Sequence, residues 1–567
     1  MGKNRPGHHK SLPARIKLPL SIIVLGGIVL WVLVQWFKPG LPFTHDGQIH
    51  LVRMAQYYLS LKDDQLPPRW AGPLNNNFGY PVFNFNYPLP NILAYPLIKT
   101  HLTVVTVFKI EALAAILLGC IGILLWLAVF AGPVSGLIGA LFYGLNPYSL
   151  ELLFVRGSMG ELWSLALFPW LFYFATKLIK NRGSIPLNTL GLMITGGAFV
   201  ISHNVMVMFG FPVFLGYSGW LGRADLKQVV KRIGLPIIII LLLGAFFWLP
   251  AIFEKKATIL DQATVTNGYA DHFVTIKQLL VSPWGYGFSN SGPVDGLSFA
   301  LGIAQLAVVY LSIIVALKFR DKKLGFLLVI LAGLGWLMLS SSRLIWQNLP
   351  LLYYIQFPWR LLFLVQFFLA IMAAYLYTLT REWRWLWGIL LLVLIVQAKT
   401  IAQPIDRINP TNQDLFYATE TTSTLDENMP RWFDKTVDFT LKENLFRDKL
   451  AVGEQPDTEV KILKWTGSDH IYTVTAVNPD RIVERSAYFP GWEVTLNGQP
   501  VPIDYQMKKY PGLITFALEP GNYQVRTRFT QNTWPRKIGN LLTLIGLVAL
   551  VGYPLWLSRF LSYKIKP

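Results

Sequence analysis

The first polar residues after the N-terminal apolar segment combine an acid, an imidazole and a guanidinium in one short stretch. Thr44 or Asp46 would cap a helix that runs to about Lys62, because Ser, Thr, Asp and Asn are the preferred N-cap residues. On that helix Asp46, His50 and Arg53 occupy positions i, i+4 and i+7, so their side chains share one face. Two interpretations stay open: a chemically active face, or an interfacial helix with a capping aspartate and solvated polar residues.

A second polar group alternates asparagine with aromatic residues along positions 75–88. Amide groups bond hydroxyls and aromatic faces stack on the C–H groups of a pyranose ring, so the pattern predicts a sugar site. An aromatic belt at the headgroup level looks similar, but it does not account for the five asparagines. The predicted sugar- or acceptor-binding residues are His50, Arg53, Arg69, Trp70, Asn77, Tyr80 and Asn84.

A third group consists of polar residues at the ends of apolar segments, where charges are costly unless paired or functional. Arg156 has the planar fork that matches phosphate oxygens, and Glu161 is either an active acid or its salt-bridge partner. His203 interrupts a long apolar stretch, either facing a cavity or as a hydrogen-bonded structural residue. Snorkelling explains Arg343 or Arg360 singly, but together with Lys255 and Lys256 on the same side these basic residues indicate an anionic lipid ligand. The predicted phosphate-binding residues are Arg156, His203, Lys255 and Arg360.

The composition indicates a polytopic membrane protein. Hydrophobic residues make up 53% of the 567 residues and charged residues only 14%, whereas a soluble domain carries about a quarter. The net charge of +19 comes from basic residues in short runs beside apolar segments, a pattern typical of topology signals and not of nucleic-acid binding. Twelve segments are apolar and about long enough to cross a bilayer: 18–37, 105–130, 133–150, 161–178, 187–202, 205–221, 234–253, 298–317, 324–340, 360–379, 385–398 and 538–557.

The basic residues between these segments predict that both termini are cytoplasmic in a plasma (inner) membrane, with 38–104, 254–297, 341–359 and 399–537 outside. The last piece contains short β-rich segments separated by Asn-Gly and Pro-Gly turn signals, which predicts an extracytoplasmic β-sandwich. The predicted division is a cytoplasmic N-terminus (1–17), a transmembrane domain (18–398) with a first outer loop (38–104), a β-rich domain (399–537), a last transmembrane helix (538–557) and a cytoplasmic tail (558–567).

Several chemistries lack their sequence signatures. The chain has no Walker A motif and no Gly-rich dinucleotide fingerprint, which argues against a cytosolic nucleotide site. Cys120 is the only cysteine, so there is no disulfide framework and no cysteine-based zinc site. The predicted inner loops are too short for a nucleotide-sugar domain, and any sugar donor would therefore come from the membrane.

At these residues the sequence resembles the GT-C superfamily of membrane glycosyltransferases, which take a sugar from a polyprenyl-phosphate donor on the outer face. More narrowly, it is similar to a bacterial family labelled "6-pyruvoyl-tetrahydropterin synthase-related". The motifs that carry this likeness are His45-Asp46-Gly47-Gln48 with His50, Pro67-Pro68-Arg69-Trp70, Gly79-Tyr80-Pro81, and Arg156-Gly157 with Glu161. Near the C-terminus, Tyr488-Phe489-Pro490-Gly491-Trp492-Glu493-Val494 and Glu519-Pro520-Gly521-Asn522-Tyr523 resemble YfhO-type proteins, which are linked to glycosylating cell-surface polymers.

The resemblance implies a GT-C-like fold and an inverting glycosyltransferase in which Asp46 is the catalytic base. Many relatives have a second acid directly after the first, where this chain has Gly47. The second acid is therefore open among Asp63, Asp64 and Glu161, and we predict Glu161. No metal or other cofactor is predicted; Mg or Mn would be compatible but has no support here.

The expected partners are a polyprenyl-phosphate-linked sugar, a cell-surface polymer, lipid or protein acceptor of the cell envelope, and the lipid bilayer, but no nucleic acid. Two other functions remain open. One is a transporter or flippase of lipid-linked sugars, against which the sequence offers no inverted repeat and no paired broken helices. The other is a non-catalytic membrane scaffold whose β-domain binds surface glycans.

Overall fold

The computed structural model describes residues 14–260, 268–290, 294–349, 352, 354–423, 425–434, 446 and 449–565. Of the predicted N-terminal segment 1–17, residues 1–13 lie outside this range, and of the tail 558–567 the last two residues do.

Most of the helices precede residue 402, and a long helix ends the described chain. They are α1 (Ala14–Val32), α2 (Gly47–Lys62), α3 (Val82–Phe85), α4 (Leu89–Lys99), α5 (Val104–Ala131), α6 (Pro133–Gly144), α7 (Pro147–Glu151), α8 (Met159–Ile179), α9 (Ile185–Val200), α10 (Asn204–Leu221), α11 (Leu226–Val229), α12 (Leu235–Leu243), α13 (Ala245–Glu254), α14 (Ile276–Leu280), α15 (Ile303–Phe319), α16 (Lys322–Leu337), α17 (Arg343–Asn348), α18 (Leu362–Thr380), α19 (Arg384–Ile401), α20 (Asn412–Phe416) and α21 (Trp534–Ile565). Short 3-10 or π turns lie at Leu33–Phe37, Leu152–Arg156, Val230–Gly234, Lys255–Ala257, Gly268–Asp271, Ser340–Ser342 and Pro358–Leu361.

The helices begin and end where local chemistry dictates. The longest helix before the β region, α5, starts after Thr103, whose side chain accepts a hydrogen bond from the Thr106 N–H group. It stops at Gly132, whose φ of 84° suits a residue without a Cβ. Pro133 then occupies the first turn of α6, where the missing N–H group costs nothing.

Within the described residues, seven helices are long and apolar enough to cross a bilayer, or up to nine if each bent helix pair forms one span. Every one of the twelve predicted segments falls on a helix or on a bent pair. The chain is therefore a multi-pass membrane protein, while the count of twelve and the orientation stay predictions.

The two bent pairs correct the expectation that the chain has no paired broken helices. Pro133–Gly144 and Pro147–Arg156 meet at 48°, and Leu226–Leu243 and Ala245–Ala257 meet at 59°. Both pairs have a proline in the first turn of a member helix and a short break between the members. A hydropathy profile does not register such bends, because apolar residues continue through them.

Ten strands form three sheets in the described residues. They are β1 (Leu41–Pro42), β2 (Arg407–Ile408), β3 (Ala451–Gly453), β4 (Glu459–Trp465), β5 (Asp469–Ala476), β6 (Asp480–Ala487), β7 (Trp492–Leu496), β8 (Gln499–Val501), β9 (Leu513–Leu518) and β10 (Gly521–Phe529). The sheet orders are β1-β2, β4-β5-β10-β7-β8 and β3-β6-β9, and the strands in each sheet pair antiparallel.

The two larger sheets share one hydrophobic core. It contains Val474 and Val525 from the five-stranded sheet, and Ile482 and Phe516 from the three-stranded sheet. The predicted β-rich region is therefore confirmed as a separate sheet structure, whereas its location outside the cell stays a prediction.

The segment after α2 packs against this β region. The Ala487 N–H group donates to the Phe78 carbonyl at 2.7 Å, and the Gly467 N–H group donates to the Asp63 carboxylate at 2.8 Å. A Cβ atom added to Gly72 would lie 2.2 Å from the Gly467 Cα, so the two backbones touch. These contacts hold the β region against the C-terminal end of α2.

Candidate functional site

The helix predicted after the first apolar segment is confirmed as α2, and Asp46 stands at its N-cap. Its side chain, however, makes no capping hydrogen bond. The Thr44 hydroxyl accepts the Gly47 N–H group instead, at 3.1 Å. The half-buried Asp46 carboxylate therefore has no hydrogen-bond or ion-pair partner among the residues described.

Backbone contacts fix Asp46 against the end of the bent pair. Its N–H group donates to the Arg156 carbonyl at 2.8 Å. The next residue, Gly157, has a φ of 66°, and a Cβ atom there would lie 2.3 Å from the Thr44 Oγ1 and 2.9 Å from the Gly47 nitrogen. Glycine is needed at this position because a side chain would push the two segments apart.

Arg156 and Glu161 form a buried bidentate ion pair. The two terminal nitrogens of Arg156 donate to the two oxygens of Glu161 at 2.7 and 2.6 Å. The Tyr148 hydroxyl donates to the same carboxylate at 2.6 Å, and Glu161 is 0% exposed. This geometry supports the salt-bridge interpretation of Glu161, because both of its oxygens are occupied by donors.

A second arginine approaches the same carboxylate. Arg360 Nε lies 3.2 Å from Glu161 Oε1, and Arg360 Nη1 donates to the Ile355 carbonyl at 3.0 Å. The preceding residue, Trp359, lies under the guanidinium of Arg156 at 4.8 Å. Two guanidinium groups contact one carboxylate, which leaves positive charge in excess at Glu161.

Two histidines and a tyrosine connect this cluster to α2. His203 Nε2 lies 3.9 Å from Glu161 Oε1, and its ring packs on the Tyr87 ring at 4.8 Å. The Tyr87 hydroxyl lies 3.4 Å from His50 Nε2. His203 Nδ1 is buried and has no hydrogen-bond partner in the described structure, so it can bond a ligand atom or a water.

Burial shifts the pKa values of His50 and Tyr87, which lie outside the membrane-spanning helices. It lowers the pKa of His50 well below the usual range, and the nearby Arg53 and His203 lower it further. Burial also raises the pKa of Tyr87 to about 12. At neutral pH His50 is therefore an uncharged imidazole beside an uncharged phenol.

Residues 268–290 lie over one side of the cluster. His45 Nε2 is 3.0 Å from the Tyr286 carbonyl, and its ring stacks on Phe288 at 4.3 Å. Trp359 Nε1 donates to the Ser289 hydroxyl at 3.2 Å. These contacts hold the loop against the immediate neighbours of Asp46 and Arg360.

The structure thus brings six predicted site residues into one region, Asp46, His50, Arg156, Glu161, His203 and Arg360. Sequence reasoning missed Tyr87, Tyr148 and Trp359. Their signal was weak, because aromatic residues beside proline are frequent in this chain. Glu151 was also missed; it is buried, and its Oε1 has no hydrogen-bond partner in the described structure.

Arg69 and Asn84 belong to a different polar cluster. Arg69 donates to the Asn84 side chain at 3.4 Å and to the Phe246 carbonyl at 2.6 Å. Asn84 donates to Glu254 at 2.8 Å, and Arg536 donates to the same carboxylate at 2.8 Å. We therefore correct the sugar-binding prediction for both residues, because their polar atoms tie the first loop to α13 and α21.

The sugar-binding prediction is also wrong for Trp70 and Tyr80. Trp70 is 0% exposed and stacks on Phe529 at 5.3 Å inside the core of the β region. The Tyr80 hydroxyl is hydrogen-bonded to Ser423 and accepts the Asn428 N–H group. An aromatic ring enclosed in this way offers no face to a sugar.

The asparagines that suggested a sugar site have a backbone explanation. Asn75, Asn76 and Asn77 have φ values of 55°, 55° and 66°. Asparagine tolerates this left-handed region better than other non-glycine residues. The asparagine run therefore shapes a turn in the segment after α2 that packs against the β region, and Asn77 is exposed in that turn.

Four further candidates, Arg53, Lys255, Asp63 and Asp64, make their described contacts with residues outside the Asp46 region. Arg53 donates to the hydroxyl and the carbonyl of Thr422. Lys255 Nζ lies 3.3 Å from the Tyr354 hydroxyl and over that ring. Asp63 and Asp64 follow α2, so the whole helix separates them from Asp46.

The described residues contain no group of three or more His, Cys, Asp or Glu side chains that could hold a metal ion. The site instead contains the Asp46 carboxylate, which has no partner among the described residues, the guanidinium groups of Arg156 and Arg360, and the neutral imidazole of His50. A free carboxylate can take a proton, and guanidinium groups can bind phosphate oxygens. The arrangement therefore suits a reaction in which a hydroxyl loses a proton while an anion is bound or released.

No protein-family model and no curated protein sequence matches the chain. Among solved structures it is similar to the mycobacterial arabinofuranosyltransferase AftD, with 14% identity and a TM-score of 0.35. The likeness covers 69% of this chain and 28% of AftD, so this chain spans less than a third of that protein.

Proposed function

We propose that this protein is a membrane glycosyltransferase that moves a monosaccharide from a polyprenyl-phosphate donor to a cell-surface acceptor. The observation that carries the proposal is the Asp46 carboxylate, which has no partner among the described residues and is fixed by its backbone to the Arg156 carbonyl. An acid and an anion-binding cluster at adjoining positions are what an inverting transfer from a lipid phosphate needs.

Asp46 acts as the general base. Its carboxylate takes the proton of an acceptor hydroxyl while the hydroxyl oxygen attacks the anomeric carbon of the donor sugar. The bond between that carbon and the phosphate oxygen breaks, and the lipid phosphate leaves with the electron pair. A carboxylate that caps its own helix would be a poorer base, and here the Thr44 hydroxyl does that work.

Arg360 and His203 bind the leaving phosphate. Arg360 Nη2 donates no hydrogen bond to a described residue, and His203 Nδ1 is buried without a partner. Arg156 is already paired through both terminal nitrogens. Arg156 and Glu161 therefore act as positioning residues that set the orientation of Arg360, and the predicted catalytic role of Glu161 is replaced by this one.

The transfer takes place on the side of the membrane that carries the β region. The β region packs against the segment that follows α2, and Asp46 stands at the other end of the same helix, which supports this placement. We assign that side to the outside of the plasma membrane, with both termini in the cytoplasm. The acceptor is a polymer, lipid or protein of the cell envelope.

The first experiment measures lipid-linked monosaccharides by mass spectrometry in membranes of a host that lacks the protein. The host is complemented with wild type, Asp46→Asn or Asp64→Asn, an exposed acid at the far end of α2 that serves as the control. We expect one polyprenyl-phosphate sugar to accumulate in the null and Asp46→Asn strains only, since removing a general base costs about 10²–10⁴-fold in rate. Unchanged lipid-sugar levels in all strains would overturn the proposal.

The orientation has its own test. Cys120 is buried, so a cysteine introduced at an exposed site is the one a membrane-impermeant thiol reagent labels. Asn77→Cys should be labelled from outside intact cells, and Lys322→Cys should be labelled only after the cells are opened. The reverse pattern would place the Asp46 region in the cytoplasm.

A transporter or flippase of lipid-linked sugars is the second candidate, and the two bent helix pairs favour it. Broken helices often line substrate paths in transporters, and one member of the first pair ends at Arg156. Purified protein separates the two functions. A transferase releases polyprenyl phosphate from its donor when acceptor is present, whereas a flippase leaves the sugar on the lipid.

A further inference from the structure

A cationic cluster lies where α1 ends, and it uses none of the residues assigned to sugar transfer. Lys109 Nζ donates to the carbonyls of Lys38 and Gly40 at 2.7 and 3.1 Å. Arg407 Nη1 donates to the same two carbonyls, at 3.3 Å each. Lys399 Nζ donates to the Trp31 carbonyl at 2.7 Å.

These contacts explain why cations gather here. The last carbonyls of a helix have no intrahelical partner and carry partial negative charge. Lys399, from α19, supplies a donor to the Trp31 carbonyl in the last turn of α1. Arg407, from β2, donates to the Gln35 carbonyl in the 3-10 turn that follows, and Arg407 and Lys109, from α5, donate to carbonyls of the next loop.

The backbone carbonyls do not neutralise the positive charge of these lysine and arginine side chains. Lys109 and Arg407 share the same two carbonyl oxygens, and the exposed Lys38 side chain adds a further cation. None of Lys38, Lys109, Lys399 and Arg407 forms an ion pair within the described part of the chain. The nearby Asp406 carboxylate accepts the backbone N–H group of Arg407 at 2.7 Å. Lys109 and Arg407, whose like charges are held at the same two carbonyl oxygens, repel one another unless an anion lies close to them.

The surface beside the cluster is apolar and faces outward. Trp31, at the end of α1, and Val34 and Phe37, in the 3-10 turn that follows, are spaced three residues apart and are 57%, 46% and 54% exposed. Lys399 Nζ lies 4.8 Å from the Trp31 ring centroid. Cations at a helix end next to a strip of exposed apolar side chains match a lipid, which brings a charged headgroup together with an acyl chain.

We propose that Lys38, Lys109, Lys399 and Arg407 form a binding site for the phosphate headgroup of an anionic membrane lipid. The acyl chains of that lipid lie along Trp31, Val34 and Phe37. The site is separate from the region around Asp46, and its occupancy by lipid does not depend on the protein being a glycosyltransferase.

The test uses the full-length protein in detergent micelles titrated with dioleoyl phosphatidylglycerol or dioleoyl phosphatidylcholine, with bound lipid counted by native mass spectrometry. We expect tight retention of the anionic lipid by wild type. The double variant Lys109→Gln/Arg407→Gln should bind it about 30-fold more weakly, from the loss of two charges at an anionic headgroup. The matched control is Lys318→Gln/Arg320→Gln, which removes two exposed cations at the end of α15 and should bind like wild type.

Lys38→Gln separates loss of lipid binding from loss of folding. This variant should fold normally, because the exposed Lys38 side chain makes no hydrogen bond or ion pair within the described residues. It should lower the affinity about fivefold, from one charge, with an unchanged melting temperature. Equal loss in the cluster and control variants would show general attraction to anionic lipid and overturn the site. Full competition by inorganic phosphate at the lipid concentration would also overturn it, since it would mean that the acyl chains contribute nothing.

Discussion

Replacing Glu161 by glutamine separates its two interpretations. The substitution keeps the size of the side chain and removes its charge. Glu161 is 0% exposed and holds Arg156 through two hydrogen bonds and Arg360 through a contact of 3.2 Å. Removing one partner of a buried ion pair typically costs about 3–5 kcal/mol, because the remaining charge is left buried without compensation.

Glu111→Gln is the matched control. Glu111 is also buried, at 2% exposure, but it accepts a hydrogen bond from Trp163 Nε1 at 3.1 Å, and no cation among the described residues pairs with it. The same substitution there should cost no more than one hydrogen bond, about 0.5–1.5 kcal/mol. The difference between the two variants isolates the effect of the stranded arginines.

The assay is urea unfolding of the purified protein in micelles, followed by tryptophan fluorescence. Glu161→Gln should lose the most stability, and adding Arg156→Gln should recover part of the loss because one stranded charge is gone. A Glu161→Gln protein as stable as Glu111→Gln but without activity would refute the positioning role. That result would restore Glu161 as a catalytic acid.

Three other perturbations test the placement of individual residues. Trp70→Ala should cost about 3–5 kcal/mol in unfolding, because it empties a buried aromatic site. Gly157→Ala should cost about 1–3 kcal/mol and lower activity, because φ is 66° and the new Cβ meets the Thr44 hydroxyl. The pKa of His50 is lower in the folded protein than in the unfolded chain, so the stability it allows is present above about pH 6.5 and is lost as the pH falls. His50→Gln should therefore flatten the loss of stability on acidification by up to about 1.4 kcal/mol per pH unit, measured as unfolding free energy between pH 7 and pH 5.

Each of these expectations can fail in a recognisable way. Loss of sugar binding by Trp70→Ala at wild-type stability would restore Trp70 as a sugar ligand. Wild-type activity in Gly157→Ala would show that the spacing between the Arg156 and Asp46 segments does not matter. An unchanged pH slope in His50→Gln would mean that His50 is protonated in the folded state.

The local pattern was enough for much of the fold. Apolar length placed the helices, since a long apolar run has few alternatives to a helix in a membrane. Alternation and turn residues predict strands at 459–465, 492–496 and 513–518, which are the limits of β4, β7 and β9, but they predict no strand at β3, β6 or β8. The missing β6 has a physical reason. Its Glu484 is fully buried and accepts a hydrogen bond from Tyr472 at 2.6 Å, and a charged residue in a core cannot be recognised before its partners are known.

The residues of the site could also be predicted from the sequence only in part. Asp46, His50, Arg156, Glu161, His203 and Arg360 could be selected from the sequence because polar residues at the ends of apolar segments are rare and costly. Which of them are neighbours depends on the packing of α2, α8, α10 and the turn before α18. The asparagine–aromatic segment was misread because its side chains suit either a sugar or another part of the same protein.

Residue types alone therefore determined the membrane character of the chain, the separate β region and the list of polar residues that had to be accounted for. Tertiary structure alone decided that Glu161 is a buried counter-ion, that Trp70 belongs to a core, and that the Asp46 carboxylate has no partner among the described residues. The physical reason is that the free energy of a charge or a ring depends on what surrounds it. Those surroundings come from segments that are distant in the chain.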